Sequence, residues 1–207
     1  MPFGSSPQSA LTRPDPAAAS RAVPPRPTLP RRLLALALAW LALSALSPAI
    51  FAANDLILRI EGSGSSLAIP GESTLANHVG EIDCTGFSWG VQRSSSTANA
   101  NFFTVTKRVD KASPLLMLGV FQGTHYTRAK FFVRTQGASP YDFFVVTMTD
   151  VVVVSQSTSA ASDGSMVESI SVSFASIKFN YQQLNSDGTT NGGVISAGWN
   201  VQTNTKL

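Results

Sequence analysis

The chain is poor in the residues that build disulfides and metal sites. Its 207 residues include one cysteine, Cys84, and two histidines, His78 and His125. A single cysteine excludes an internal disulfide. We interpret Cys84 as a small buried hydrophobe, with a reactive thiol or an intermolecular bridge as the alternatives. His78 falls in a loop with no acidic or thiol partner at a ligand spacing, so we predict no metal site.

Catalytic motifs are also missing from the sequence. It has no G-x-S-x-G turn, no glycine-rich phosphate loop and no pair of catalytic carboxylates. Glu81 and Asp83 are two apart on a predicted strand, which favours a solvated or interface acidic edge. Trp89 and Trp199 favour core packing over ligand binding. We therefore predict that the protein is not an enzyme and uses no cofactor.

The first 53 residues have the composition of a leader. Residues 1–32 are rich in Pro, Ala, Ser and Arg, which is typical of disorder. Two arginines then precede the apolar run Leu33–Leu46, and small residues follow, which is the order of a secretory signal with cleavage near Ala52 or Ala53. The run of about 14 residues is shorter than the roughly 20 that cross a bilayer, so we predict no permanent membrane span. We therefore expect secretion. An uncleaved anchor and a misplaced start are the alternatives.

The positive charge of the chain belongs to this leader. Five arginines against one aspartate give it a balance of +4, so of the net charge of +3 the remaining residues carry −1. A basic isoelectric point that comes from the leader says nothing about the folded part. We therefore predict no nucleic-acid partner.

Residues 54–207 form the predicted folded domain, and its patterning is that of β-strands joined by polar loops. The apolar face of one segment flips between Phe174 and Ile177, which predicts a bulge or sharp bend near residues 175–176. The valines at 151–154 predict a strand buried on both sides. Residues 61–79 and 93–101 are interpreted as polar connections. The predicted strands are Asp55–Ile60, Ile82–Val91, Phe102–Val109, Ala129–Thr135, Tyr141–Ser155, Glu168–Gln182 and Ile195–Gln202.

A single segment predicts a helix. Ser113 can cap it, Pro114 suits its first position, and Gly123 can end it. The residues between are apolar nearly all round, so other surfaces must cover this helix. The predicted fold is all-β: a closed or nearly closed β-barrel, or a two-sheet sandwich, with one short flanking α-helix.

Several of these segments, in their order and spacing, resemble one known family. They are Glu81–Gly90, Thr106–Met117, Gly123–Tyr126 with Ala129–Lys130, Glu168–Ala175 with Tyr181–Gln182, and Gly198–Asn200. Together they resemble the Hcp family, the ring-forming tube protein of the bacterial type VI secretion system.

The resemblance implies a homohexameric ring that stacks into a secreted inner tube. It also implies a contractile sheath, a spike protein and small effector proteins as partners. The family carries a His-Tyr pair after the helix, as His125 and Tyr126 are here, so the resemblance implies a structural hydrogen bond for His125. The alternative is an exported monomeric Hcp-like barrel that acts as an adhesive or ligand-binding module. Part of the subunit interface is predicted in the 93–101 connection and the helix, at Arg93, Ser94, Ser95, Thr97, Asn99, Leu115, Leu118 and Phe121.

Overall fold

The computed structural model describes residues 53–95, 97–137 and 139–207, so the leader interpretation lies outside the described residues apart from its last position. None of the helices in these ranges is both long and apolar enough to cross a membrane. A short 3₁₀ turn covers Ser63–Ser65. The remaining elements are β1 Asp55–Glu61, β2 Ile82–Cys84, β3 Gly86–Ser88, β4 Val91–Ser94, β5 Thr97–Ala100, β6 Phe103–Arg108, α1 Ser113–Gln122, β7 His125–Arg134, β8 Asp142–Ala160, β9 Met166–Ser173, β10 Ser176–Tyr181, β11 Ile195–Asn200 and β12 Thr205–Lys206.

The long strand β8 joins two layers of sheet. Its first half pairs with β7 and β10, in a layer ordered β12-β11-β10-β8-β7-β1-β2. Its second half pairs with β9, which continues to β6 and β3. The change of partner falls at Asp150, whose φ of 48° is a left-handed conformation that aspartate tolerates better than most residues. Within the described residues the strands form a sandwich and not a closed barrel, so the sandwich form of the predicted all-β fold is confirmed.

The core lies between the two layers. Alternate residues of β6, β7 and β9 point into it, as the period of two requires. Phe103 of β6 and Phe131 of β7 are fully buried, with ring centroids 5.3 Å apart. Burial of each such side chain stabilises the fold by about 1.5–3 kcal/mol. Other members of the core are Leu58, Ile60, Ile82, Val105, Leu116, Val146, Met148, Ile170 and Val172.

The bend predicted near residues 175–176 is confirmed. The strand stops at Ser173 and resumes at Ser176, and the Ala175 amide donates to the Thr149 carbonyl across the gap. The predicted two-sided burial of the valine run is only partly correct. Val151 and Val153 are buried, whereas Val154 is 36% exposed, so one side chain of the run faces away from the core.

The prediction of a polar connection at residues 93–101 is wrong in one respect. The segment is the β-hairpin β4–β5, with Arg93 opposite Ala98 and Gln92 opposite Asn99. Ser95 takes a φ of 54° at its turn. The hairpin was missed because its two strands satisfy each other's backbone groups without the alternating apolar face that marks a strand in sequence.

The helix has the predicted position but a different start. Ala112 occupies the N-cap position, and Ser113 is the first helical residue. Ala112 makes no side-chain capping bond; Asp110 Oδ1 accepts the Ala112 amide at 2.9 Å and Ser113 Oγ accepts the Asp110 amide at 3.1 Å, so these side chains fix the turn before the helix. Pro114 lies in the first turn and Gly123 closes the helix at φ 60°, as predicted.

Candidate assembly surface

Helix α1 exposes most of its apolar side chains. Leu116 and Gly119 face the core and are buried. Gly119 is needed for this close approach, because a Cβ at that position would lie 2.6 Å from the Tyr126 hydroxyl. The outer face is exposed, with exposed fractions of 40% for Leu115, 49% for Met117, 47% for Leu118 and 81% for Phe121. We call these four side chains the helix face.

A buried polar cluster holds the start of α1 on the sheet. The Lys107 ammonium is fully buried, 3.0 Å from Glu168 Oε2 and 2.8 Å from Asp110 Oδ1. It also donates to Ser113 Oγ at 3.0 Å, and Ser113 Oγ donates to Glu168 Oε2 at 2.7 Å. Burial alone would raise the pKa of Glu168, but the bonds from Ser113 and Lys107 lower it below its usual value. The serine predicted as a cap therefore works as a link between α1 and β9.

The hairpin β4–β5 and strands β10 and β11 enclose an apolar groove of about 310 Å³. Trp89 lies at one side, with its ring 4.8 Å from that of Phe179, and Trp199 lies on β11. Both indole N–H groups are buried and have no hydrogen-bond partner among the described residues. We call this space the tryptophan groove. Its other lining residues are Val91, Arg93, Ala98, Ala100, Ile177, Ala197, Gly198 and Val201.

The two tryptophans are therefore not simple core residues. Each is partly buried, and Trp89 packs against the core as predicted. Their indole rings also line an open groove, which the sequence could not indicate because the hairpin that completes it was not predicted.

His78 is bound between two carboxylates. Its Nδ1 lies 2.7 Å from Glu81 Oε2 and its Nε2 lies 3.1 Å from Asp142 Oδ2, while its ring packs on Phe132 with centroids 4.6 Å apart. Burial alone would lower the pKa of His78, but the hydrogen bonds to Asp142 and Glu81 outweigh it and raise the pKa to about 9. His78 is thus a cation at neutral pH. In the described ranges, no group of three or more His, Cys, Asp or Glu side chains is arranged so that it could hold a metal ion.

Two sequence interpretations are wrong at this cluster. His78 does have acidic partners, and Glu81 is buried rather than part of a solvated edge, whereas Asp83 is exposed. The i, i+3 spacing of His78 and Glu81 was the available signal. Asp142 is 64 residues away in sequence and gave none.

A second ion cluster is centred on Glu61, which is 1% exposed at the end of β1. Arg59 donates to Glu61 at 2.7 Å and to Glu81 at 3.0 Å, so it connects the Glu61 cluster to the His78 cluster. Arg128 and Lys130 of the neighbouring strand β7 also contact Glu61. The positive side chains of this face are thus held against buried carboxylates and fix β1 to β7.

The two remaining candidate residues have structural surroundings. His125 Nδ1 lies 2.8 Å from Asp150 Oδ1, so the predicted hydrogen bond is present, next to the change of partner in β8. Cys84 is half-buried against the core, and burial raises the pKa of its thiol to about 12. A thiol in that state is a poor nucleophile, which favours the packing interpretation.

The predicted interface residues fall on two separate elements. Leu115, Leu118 and Phe121 belong to the helix face. The five hairpin positions, Arg93, Ser94, Ser95, Thr97 and Asn99, are all exposed on β4–β5. The prediction that they contact a neighbouring subunit remains open.

The comparisons with known proteins agree on one family. The family described as "Type VI secretion system effector, Hcp" matches residues 57–181. The protein hcp1 of Pseudomonas aeruginosa is 31% identical over 148 residues, which is 66% of this chain and 91% of that protein. The crystal structure of Hcp1 from Salmonella typhimurium is 27% identical with a TM-score of 0.64, and covers 75% of this chain and 99% of that one. A type VI secretion system effector from Yersinia pestis is 28% identical with a TM-score of 0.60, over 71% of this chain and 100% of that one.

The match to the family covers more than half of the chain, and the fold is similar to that of the solved relatives. The chain therefore belongs to the Hcp family of type VI secretion system proteins.

Proposed function

We propose that the chain is a subunit of a homohexameric ring, and that such rings stack into the secreted inner tube of the type VI secretion system. The observation that carries the proposal is the presence of two unlike exposed surfaces on one chain: the helix face and the hairpin β4–β5. Unlike surfaces that bind each other give head-to-tail contacts, which either close into a ring or continue as a filament. Membership of the Hcp family favours closure at six.

The test is the mass of the purified chain in solution. Light scattering coupled to size exclusion is expected to give about six protomers at micromolar concentration, with a protomer mass of 21.9 kDa before any cleavage. A monomer at high concentration would remove the ring from the proposal while leaving the fold intact.

A matched pair of variants tests the surface itself. Leu118→Asp places a charge on the helix face at a residue that is 47% exposed, and we expect it to dissociate the ring, because an unpaired charge in an apolar contact is costly. Met166→Asp, at a residue 45% exposed on β9, is the control and should leave the mass unchanged. If both variants keep the mass of the wild type, the helix face is not an interface.

The spike protein, the contractile sheath and small effector proteins are the partners that this function requires. We propose no catalytic role, because the buried polar clusters at His78 and Lys107 stabilise the fold and neither forms a nucleophile–base pair open to a substrate.

If the leader directs export, N-terminal sequencing of secreted protein should begin at Ala53 or Asn54. Protein with an intact N-terminus in the cytoplasm would contradict export through the leader.

The tryptophan groove gives the second candidate its support. An apolar groove of about 310 Å³ is near the lower limit for a small-molecule site, so an exported monomer that binds a ligand is the competing function. A monomeric mass together with occupancy of the groove by a co-purified molecule would favour it.

A further inference from the structure

The tryptophan groove is open within the described part of the chain. Its walls are mostly apolar and include the indole rings of Trp89 and Trp199, whose N–H groups have no exposed surface and so are out of reach of an occupant. The groove thus fits an occupant that brings an apolar group, and Arg93 among its lining residues favours one that is also partly negative.

The size of the groove limits the apolar group. A dry cavity of about 150 Å³ is large enough to bind benzene. The groove, at about 310 Å³, has room for one aromatic ring and a short piece of neighbouring backbone. The small side chains of Ala98, Ala100 and Ala197, together with Gly198, provide this room.

The end of α1 carries the complementary features. Phe121 is 81% exposed, more than any other large apolar side chain in the described ranges. It lies in the last helical turn, where backbone carbonyls have no intrahelical donors. The Gly123 and Thr124 amides bond to the carbonyls of residues 119 and 120, and no described backbone amide bonds to those of Phe121 and Gln122.

Charge supports the same match. The C-terminal end of a helix is partly negative, and the last turn of α1 contains no basic side chain of its own. Arg93 lines the tryptophan groove. A helix end seated there would bring its negative pole to this guanidinium.

We propose that Phe121 and the C-terminal carbonyls of α1 of one copy bind in the tryptophan groove of the next copy. The Phe121 ring fills the apolar space, and the free carbonyls of the helix end face Arg93. The helix end and the groove are different parts of one chain, so the contact is head-to-tail. The inference rests on the proposed ring and identifies one of its contacts, although a ring could also be held by other surfaces.

Cysteine cross-linking tests the contact directly. In the full chain with Cys84→Ala, the double variant Phe121→Cys/Ala98→Cys should form a ladder of disulfide-linked species up to six under oxidation. Each single variant should stay uncross-linked, because a head-to-tail contact does not bring two equivalent positions together. A wild-type mass of six protomers without any ladder from the double variant would overturn this inference and leave the proposed ring standing.

Tryptophan fluorescence gives an independent measurement. The chain has three tryptophans, so Trp40→Phe leaves Trp89 and Trp199 of the groove as the only emitters. In that background Phe121→Ser should lower the assembled fraction and increase quenching by acrylamide several-fold. The matched control Met166→Ser should change neither. Phe121 is exposed, so a thermal melt close to that of the parent is expected and would exclude unfolding as the cause.

The outcomes separate the other occupants of the groove. If Phe121→Ser leaves both mass and quenching unchanged, the inference is wrong. If the chain is a monomer whose tryptophans are already shielded from acrylamide, a small molecule or the leader of the same chain fills the groove, and both the inference and the ring are refuted.

Discussion

Replacing Lys107 by methionine should destabilise the fold strongly, although the two side chains have similar volumes. The Lys107 side chain is fully buried. Its ammonium faces Glu168, which is 2% exposed, and Asp110, whose side chain is 10% exposed. Removing one partner of a buried ion pair leaves the other charge uncompensated and typically costs about 3–5 kcal/mol. Since a domain is stable by about 5–15 kcal/mol in total, this is a large part of the whole.

Urea unfolding at a protein concentration below that of assembly measures this effect. With a slope of about 2 kcal/mol per molar, the midpoint should fall by about 2 M. Lys111→Met is the control, because Lys111 is exposed in the turn before α1. This substitution should change the free energy of unfolding by no more than about 0.5 kcal/mol. The double variant Lys107→Met/Glu168→Gln should recover part of the loss, since it removes both charges. A Lys107→Met loss equal to that of Lys111→Met would refute the assignment of the cluster as a structural clamp.

Two further predictions concern other parts of the fold. Because the folded pKa of His78 is raised to about 9 from 6.5, its ion pairs contribute fully below about pH 6.5 and are lost as pH rises through about 9. The difference in urea midpoint between wild type and His78→Gln should therefore shrink between about pH 6 and pH 9.5, and a constant difference would contradict the carboxylate-bound cation. Gly119→Ala should cost about 1–3 kcal/mol, because its Cβ would lie 2.6 Å from the Tyr126 hydroxyl. The same substitution in a Tyr126→Phe background should cost less in a thermal melt, and equal costs would show that the hydroxyl is not the obstacle.

The sequence was most informative where one period ran through a whole element. The alternation in β6 and β9 indicated strands, and the flip between Phe174 and Ile177 located the break between β9 and β10 within a residue or two. Pro114 and Gly123 located the helix through their backbone preferences alone. Such signals are local, so a single sequence contains them.

Contacts between distant residues were beyond the sequence. The bonds of His78 to Asp142 and of Lys107 to Glu168 span 64 and 61 positions, and only the fold brings these groups together. The bend of β8 at Asp150 had no glycine to indicate it. The tryptophan groove was invisible for a related reason: the hairpin that covers it has no apolar period, and the two tryptophans gave the same signal as core aromatics.

The distribution of polar and apolar groups also indicates which surfaces can mediate assembly. An exposed sheet edge can pair with another chain, but here the edge strands of the larger layer, β2 and β12, have three and two residues. Such short edges offer few backbone groups, which is a common protection against uncontrolled pairing. Pairing between sheet edges is therefore less suited to assembly than contacts through side chains. The buried charges are paired within the chain, whereas the helix face and the tryptophan groove leave apolar surface exposed. Contacts through these two surfaces have a defined shape and polarity, so they can select one neighbour and one direction of growth, as a closed ring requires.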